Sequence, residues 1–552
     1  LRKHSGDSQL KEISQGEKMF SISKKVFGLA GVATVFASMA FGATVPATCA
    51  ATATSNVIRT EGTSENVAPL VITCSIAPGN DTPAGTANLQ VFISPALPVT
   101  SKVVRNSTGQ TEALAAVNGG AQYNATVSGS TLNITGIATP ALDGLSSLTS
   151  SYTITVQNVR VNASSLTVGT GVPPSISATA FISGSAASIT TAALSGAQVA
   201  YAQSGLGASS VSKNYPFDAA GSNSFVTCKA YNVSDGNGLG FSVRINENFA
   251  TAFRDKAGEA SNVSSTLSTD STNEVKDGTR IALNFTNVPT GVDLYVPTAA
   301  LSDAAGGLGT IRVNKSAAGT AFAVMSDTTV SNVVPGGYAK VALTSGAGAV
   351  NFEVTTADYN ALDKYDVPVY VVTTANAAAA SAGINVSVAF ATIGSTKIPN
   401  FVVGANTTTL TGSKFNTCTT SLLFPFVTNQ AGFDTGLAIS NTSSDPFGTL
   451  GATAQAGTCS LNFYGSGAPS PASVATPNVP TGTTYTQVLS GVAAGFQGYV
   501  IAQCGFQYAH GFAFITNGVG TNGGLSQGYL AGVIPDVNQV SRATDTGEVL
   551  GN

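Results

Sequence analysis

Two copies of the tripeptide Asp-Thr-Gly, Asp434-Thr435-Gly436 and Asp545-Thr546-Gly547, carry the most specific chemistry in this chain of 552 residues. Brought together in space, two such carboxylates share one proton and activate a water, the device of an aspartic protease. The first copy lies between apolar segments and continues into Leu437-Ala438-Ile439, whereas the second sits in a polar tail with no apolar strand to hold it in place. Turn chemistry accounts for both, because the dyad is a demand on geometry and not on count. Gly524-Leu525-Ser526-Gln527-Gly528 has the spacing of a nucleophile elbow, which needs a strand before the serine and a helix after it. Neither the glycine-rich lead-in nor Tyr529-Leu530-Ala531 supplies that context, and the available base, His510, precedes the serine, the reverse of the order that hydrolase fold uses. Gly518, Gly520 and Gly523 match a dinucleotide fingerprint that opens no helix. With 60 Gly, lone matches of this kind arise by chance.

His510 alternates with aromatic residues in Tyr508-Ala509-His510-Gly511-Phe512, near Cys504, and reads as a strand histidine. As a metal ligand it would need partners, and the chain has only two His. The stretch Asp270 to Asp277 and the turn residue Asp235 offer oxygens for calcium but not the spacing of an EF-hand loop. No cofactor, metal or catalytic residue is therefore expected. Asn106, Asn124, Asn133 and Asn385 stand in glycosylation sequons, at a frequency that the abundance of Ser and Thr explains.

The elements that would position any such residue are strands. Leu89-x-Val91-x-Ile93, Tyr152-x-Ile154-x-Val156, Phe241-x-Val243-x-Ile245, Val350-x-Phe352-x-Val354 and Ile384-x-Val386-x-Val388 alternate apolar and mostly polar positions, the period of a half-buried strand. Turn-forming clusters such as Pro78-Gly79-Asn80-Asp81 and Asp235-Gly236-Asn237-Gly238 separate them. No segment of helical length has a 3.6 period with caps. The fold class expected is all-β, with tandem immunoglobulin-like or jelly-roll-like β-sandwich domains.

Composition bounds the partners. Hydrophobic residues make up 43% and charged residues only 9%, against roughly 25% charged in ordinary soluble proteins. Surfaces must then be hydrated by Ser, Thr, Asn, Gln and exposed backbone. A net charge of -4 sets up no basic field, which argues against nucleic acid and against anionic membrane surfaces. The absence of Trp lowers the expectation of a sugar-stacking cleft.

Met19 opens a segment in which Lys24-Lys25 precedes the apolar run Val26 to Ala37 and small residues around Ala40, the layout of a secretory signal peptide. Cleavage is expected after Ala40, with Ala43 second. The run is too short for a stable membrane anchor, and no second long apolar run follows. Six cysteines, Cys49, Cys74, Cys228, Cys418, Cys459 and Cys504, follow the signal, and an even count in an oxidising compartment implies disulfides. The pairing 49–74, 228–418 and 459–504 is expected because it nests within the domains without crossing. Those domains are residues 44–205, 222–418 and 419–536, with 1–18 an extension, 19–43 the signal peptide, 206–221 a polar linker and 537–552 a polar tail. The first two read as degenerate copies, since Val71-Ile72-Thr73-Cys74 and Phe225-Val226-Thr227-Cys228 each precede a glycine-rich turn and a long strand series.

Four stretches carry a resemblance: Ile58-Arg59-Thr60-Glu61-Gly62-Thr63-Ser64-Glu65, the Val-Thr-Ser at 99–101, the run Arg244 to Phe253, and the block Phe424 to Asn429 through Thr435 to Thr442. They are similar to patterns in large, uncharacterised secreted proteins of Gram-negative environmental bacteria. That group has no established activity, so the resemblance implies location and architecture and no chemistry. The function expected is a secreted cell-surface structural or adhesive protein, a filament, surface-layer or matrix subunit that associates with itself or with other surface proteins. The alternative is an extracellular module that binds glycans or proteins through the Tyr and Phe of the third domain, and the distant alternative a secreted hydrolase.

Overall fold

A computed structural model describes residues 43–534 apart from 106–107, 145–149, 169–170, 261–277, 304–308, 314–323, 326–336, 376, 393–397, 405–406, 449–451, 453 and 519–523. The signal peptide, Asn106, Asp270 to Asp277, Gly520, Gly523 and Asp545-Thr546-Gly547 thus lie outside the described residues. The all-β expectation holds. Among the described residues the α-helical structure is one turn, Lys256–Ala260, and no helix is long and apolar enough to cross a membrane.

Strands form here for a local reason that the burial pattern makes plain. In Gly85–Ser94 the residues alternate between exposed and buried along nearly the whole strand, so Ala87, Leu89, Val91 and Ile93 reach the core while Thr86, Asn88, Gln90 and Phe92 face solvent. Turn chemistry fixes the register. Asn118-Gly119, both with positive φ, reverses the chain between Gln110–Val117 and Gln122–Ser128, the backbone twist that favours Asn-Gly in two-residue hairpins.

The buried apolar residues fall into three main clusters. The first runs from Ala47 to Ala202 and is wrapped by a 12-stranded sheet. Its path begins at Thr48–Ala53 and ends at Asn56–Arg59, two strands joined by Thr54-Ser55, so the sheet curls until its ends meet in sequence. The second cluster, Leu206 to Cys418, lies between a six-stranded and a seven-stranded sheet. Ser210–Ser212, within the segment read as a linker, hydrogen-bonds along Leu239–Asn246 as an edge of the six-stranded sheet. The third cluster, Leu422 to Ala513, lies between a five-stranded and a four-stranded sheet.

The two stretches that read alike in sequence are built differently. Leu70–Ser75 is flanked by antiparallel partners on both sides, while Ser224–Val226 makes a two-stranded parallel pair with Lys414–Asn416. Disulfides join Cys49 to Cys74, Cys228 to Cys418 and Cys459 to Cys504. The first and third link residues directly opposite each other on neighbouring strands of one sheet.

The first and second cores are locked together by charges. Arg59, 1% exposed, donates from Nε to Glu65 Oε1 (2.8 Å) and from Nη1 to Glu259 Oε1 (2.8 Å), Thr279 Oγ1 (2.9 Å) and the Ala252 carbonyl (3.0 Å). Its guanidinium also lies 4.8 Å above the Phe401 ring. Burial alone would lower its pKa, but the Glu259 and Glu65 carboxylates outweigh that and raise it. The same balance holds Glu259 below its ordinary value, because Arg59 and Arg254 overcome the cost of burial. Around this centre, Glu61 accepts from Ser204 Oγ (2.6 Å) and the Gly205 amide (3.0 Å), and the amides of Thr63 and Val402 bond to the carbonyls of Asn400 and Glu61.

Candidate interaction surface

Three of the residues flagged for chemistry fall on one sheet. The four-stranded sheet of the third core runs Thr484–Val488, Asp434–Asn441, Ala509–Thr516, Ser526–Leu530, all antiparallel, and carries Asp434, His510 and Ser526. Its register keeps them from acting together. Asp434 and Ser526 both oppose Thr516, whereas His510 opposes Ser440 at the far end of the same strand. Six residues separate His510 from Thr516, roughly 20 Å at about 3.4 Å per residue, beyond any proton transfer to Ser526.

Ser526 and Asp434 have structural partners instead. Ser526 Oγ bonds Thr516 Oγ1 at 2.8 Å, and Asp434 accepts from Ser490 Oγ (2.5 Å) and the Ser490 amide (3.1 Å), holding the short 3-10 turn Leu489–Gly491. A strand follows Ser526, not a helix, so neither the nucleophile elbow nor the dinucleotide loop has its required element. Asp235 accepts from Asn232 Nδ2 within its own turn. Among the described residues no group of three His, Cys, Asp or Glu side chains is placed to hold a metal.

The same sheet turns its large apolar side chains outward. Along Ala509–Thr516 the inward positions are Ala509, Gly511 and Ala513, and the outward ones His510, Phe512 and Phe514. This inverts the usual amphipathic pattern. The reason lies in the opposing sheet: a Cβ on Gly511 would come within 2.7 Å of Phe424 Cζ and 3.1 Å of Leu422 Cδ1, so Phe424 and Leu422 already fill the interior. Phe512 and Phe514 are left 41% and 42% exposed, with Leu530 at 78% and Val488 at 53% on the outer two strands. Between the Phe ridge and Val488 runs a groove of about 450 Å³ lined by Gly436, Ala438, Thr486 and Gln487. Both edges of the sheet, Thr484–Val488 and Ser526–Leu530, lack charge and proline, the features that usually block pairing with another chain.

On the opposite side of the third core, Tyr464 and Tyr499 stand directly across from each other, stacked 5.0 Å apart and each exposed. Asn462 lies two residues from Tyr464 along the same strand and donates from Nδ2 to Gln503 Oε1. The aromatic richness of this region is visible in the sequence; which rings point outward is set by the sheet packing.

Neither a protein-family model nor a curated protein matches the sequence. Among solved structures the chain is similar to the N-terminal region of the Enterococcal surface protein, with 8% identity over 67% of this chain and 94% of that one and a TM-score of 0.16. The major pilin subunit of Bacillus cereus matches with 9% identity, 87% and 92% coverage and a TM-score of 0.20. A tip adhesin from Pseudomonas aeruginosa matches with 9% identity, 68% and 99% coverage and a TM-score of 0.19. Likenesses of this size carry no functional assignment.

Proposed function

We propose that this chain is an exported structural or adhesive protein of a cell surface, a subunit of a filament, surface layer or matrix. The observation that carries the reading is the four-stranded sheet of the third core, which turns large apolar side chains to solvent between two uncharged edges. Exposed apolar surface of this kind, on a core whose sequence holds few charged residues to repel neighbours, marks a contact site. We place the protein's domains at 44–205, 222–418 and 419–536, with the segment 206–221 joined to the second of them, and its route of export through residues 19–43. The sequence resemblance to secreted proteins of Gram-negative bacteria supports the same location. A binding module is the second reading, favoured by the exposed Tyr464–Tyr499 pair with Asn462 and Gln503 on the same two strands, an uncharged platform suited to a neutral glycan.

Fractionation of producing cells tests the proposal. The protein is expected in sheared surface material, with assemblies visible by electron microscopy. Recovery only inside the cell would refute it.

A further inference from the structure

We propose that the outer face of the four-stranded sheet in the third core is an interface between two copies of this chain, related by a two-fold axis. The inference deepens the surface-assembly reading by naming the partner.

Shifting Ala509–Thr516 by one residue would exchange its faces and bury Phe512 and Phe514 in place of Ala509, Gly511 and Ala513. The fold instead keeps the small residues inside, against Phe424 and Leu422, and leaves both rings in water. Burial of large apolar side chains is the main force in folding, so a face built this way gains most when covered.

A Cβ on Gly528 would meet Phe512 Cζ at 2.5 Å, which shows that the Phe512 ring leans over Gly528, away from the groove. Ridge and groove therefore lie side by side on one surface, with Gly436 and Ala438 as the groove floor and Val488 as its far wall. A two-fold axis between them would seat each copy's ridge in the other's groove, the self-complementary contact that closed dimers require.

Asp434 and His510 are the only Asp, Glu, Lys, Arg or His residues on the four strands, and Asp434 is bonded to Ser490. An acidic or basic partner finds one hydrogen-bonded carboxylate and one imidazole at opposite ends of the face, and a glycan finds a floor of glycine and alanine with Thr486 and Gln487 to one side. A second copy meets the apolar middle of the face with the same apolar middle.

Four strands at about 4.8 Å and five residues at about 3.4 Å give a footprint of roughly 300 Å² per copy, well under the ~800 Å² per partner of a standard stable complex. The pair is accordingly weak in dilute solution and forms where copies are concentrated, as on a surface.

Sedimentation velocity on the full chain over a wide concentration range tests the pairing, with Phe514→Ser and Val488→Lys on opposite sides of the groove and Phe92→Ser as control. Phe92 is 41% exposed on the first-core sheet, a matched apolar loss elsewhere. Wild type and Phe92→Ser are expected to dimerise, and each groove variant to weaken the dimer roughly 30-fold, the effect of losing one central anchor. Circular dichroism confirms that the variants are folded; should Phe514→Ser fail that check, Val488→Lys decides alone. Dimers that persist in the groove variants, or a wild type that stays monomeric at the highest concentration, would overturn the pairing while leaving a surface-located protein in place. Absence from the surface fraction would sink the surface reading even with a dimer in hand.

Discussion

Replacing Arg59 with Met removes the cation on which the joint between the first two cores is built. Five donor contacts disappear, three of them to carboxylates, and Glu65 and Glu259 remain 2% and 3% exposed. Counted singly, hydrogen bonds to charged groups at about 1.5–3 kcal/mol each would give a loss larger than a buried pair ever shows. Arg254 reduces it, standing 3.7 Å from Glu65 and 3.9 Å from Glu259 and able to close on both. The expected cost is therefore about 3–5 kcal/mol, the range for stranding a buried partner. Adding Glu65→Met and Glu259→Leu to Arg59→Met should recover part of the loss, because an apolar replacement strands no charge. Urea unfolding followed by hydrogen exchange resolves the cores: the first and second should open at lower urea in Arg59→Met, and the third at an unchanged midpoint. A shift below about 1 kcal/mol in the first two, or an equal shift in all three, would show that the ionic centre does not hold the joint.

Glu247 offers a pH test. Burial pushes its carboxyl up to about 7, with Asp363 adding to the rise against backbone donors from Phe253 and Asp363. The folded state thus holds the proton more tightly than the unfolded chain. That stabilisation is complete below about 4.5 and lost as the pH climbs through about 7, in all about 3 kcal/mol from the second core at about 1.4 kcal/mol per unit. Glu247→Gln should flatten urea midpoints across this window, and an unchanged slope would assign the effect elsewhere. Gly511→Val drives a branched side chain against Phe424 and Leu422 and should cost the third core about 1–3 kcal/mol in thermal or urea unfolding. Cys459→Ser with Cys504→Ser opens a link with a sequence separation of 45, and chain entropy sets the expected loss of third-core stability near 4 kcal/mol. A loss below about 1 kcal/mol would mean that the sheet holds its own register there.

Period-two patterning made the fold class readable, and the strands at Leu89, Tyr152, Phe241 and Val350 appear where the alternation placed them. The site was harder to see. The run Ala509-His510-Gly511-Phe512-Ala513-Phe514 alternates cleanly, but alternation names two faces without saying which is inside. Only the bulk of Phe424 and Leu422 on the facing sheet decides it, and that is a property of two segments far apart in sequence. Arg59, Glu65 and Glu259 escaped for a related reason. In a protein with 9% charged residues, an arginine directly after Val57-Ile58 was a signal, yet nothing local ties it to a glutamate 200 positions away.

The same scarcity of charge links the joint to the exposed face. Arg59, Glu61, Glu65, Glu112, Arg160 and Glu259 are all buried, so much of the ionic chemistry described in this fold is used inside it. What reaches solvent on the third core is mostly hydroxyl, amide and apolar carbon, with Asp434, Asp445 and His510 among few ionisable groups. Charged pairs in the interior fix direction and partner, since each guanidinium accepts few arrangements of carboxylates; a neutral surface fixes neither and leaves selectivity to shape. A rigid pair of cores next to a third whose outer sheet carries ridge, groove and open edges is thus a division of labour that follows from where the charges went.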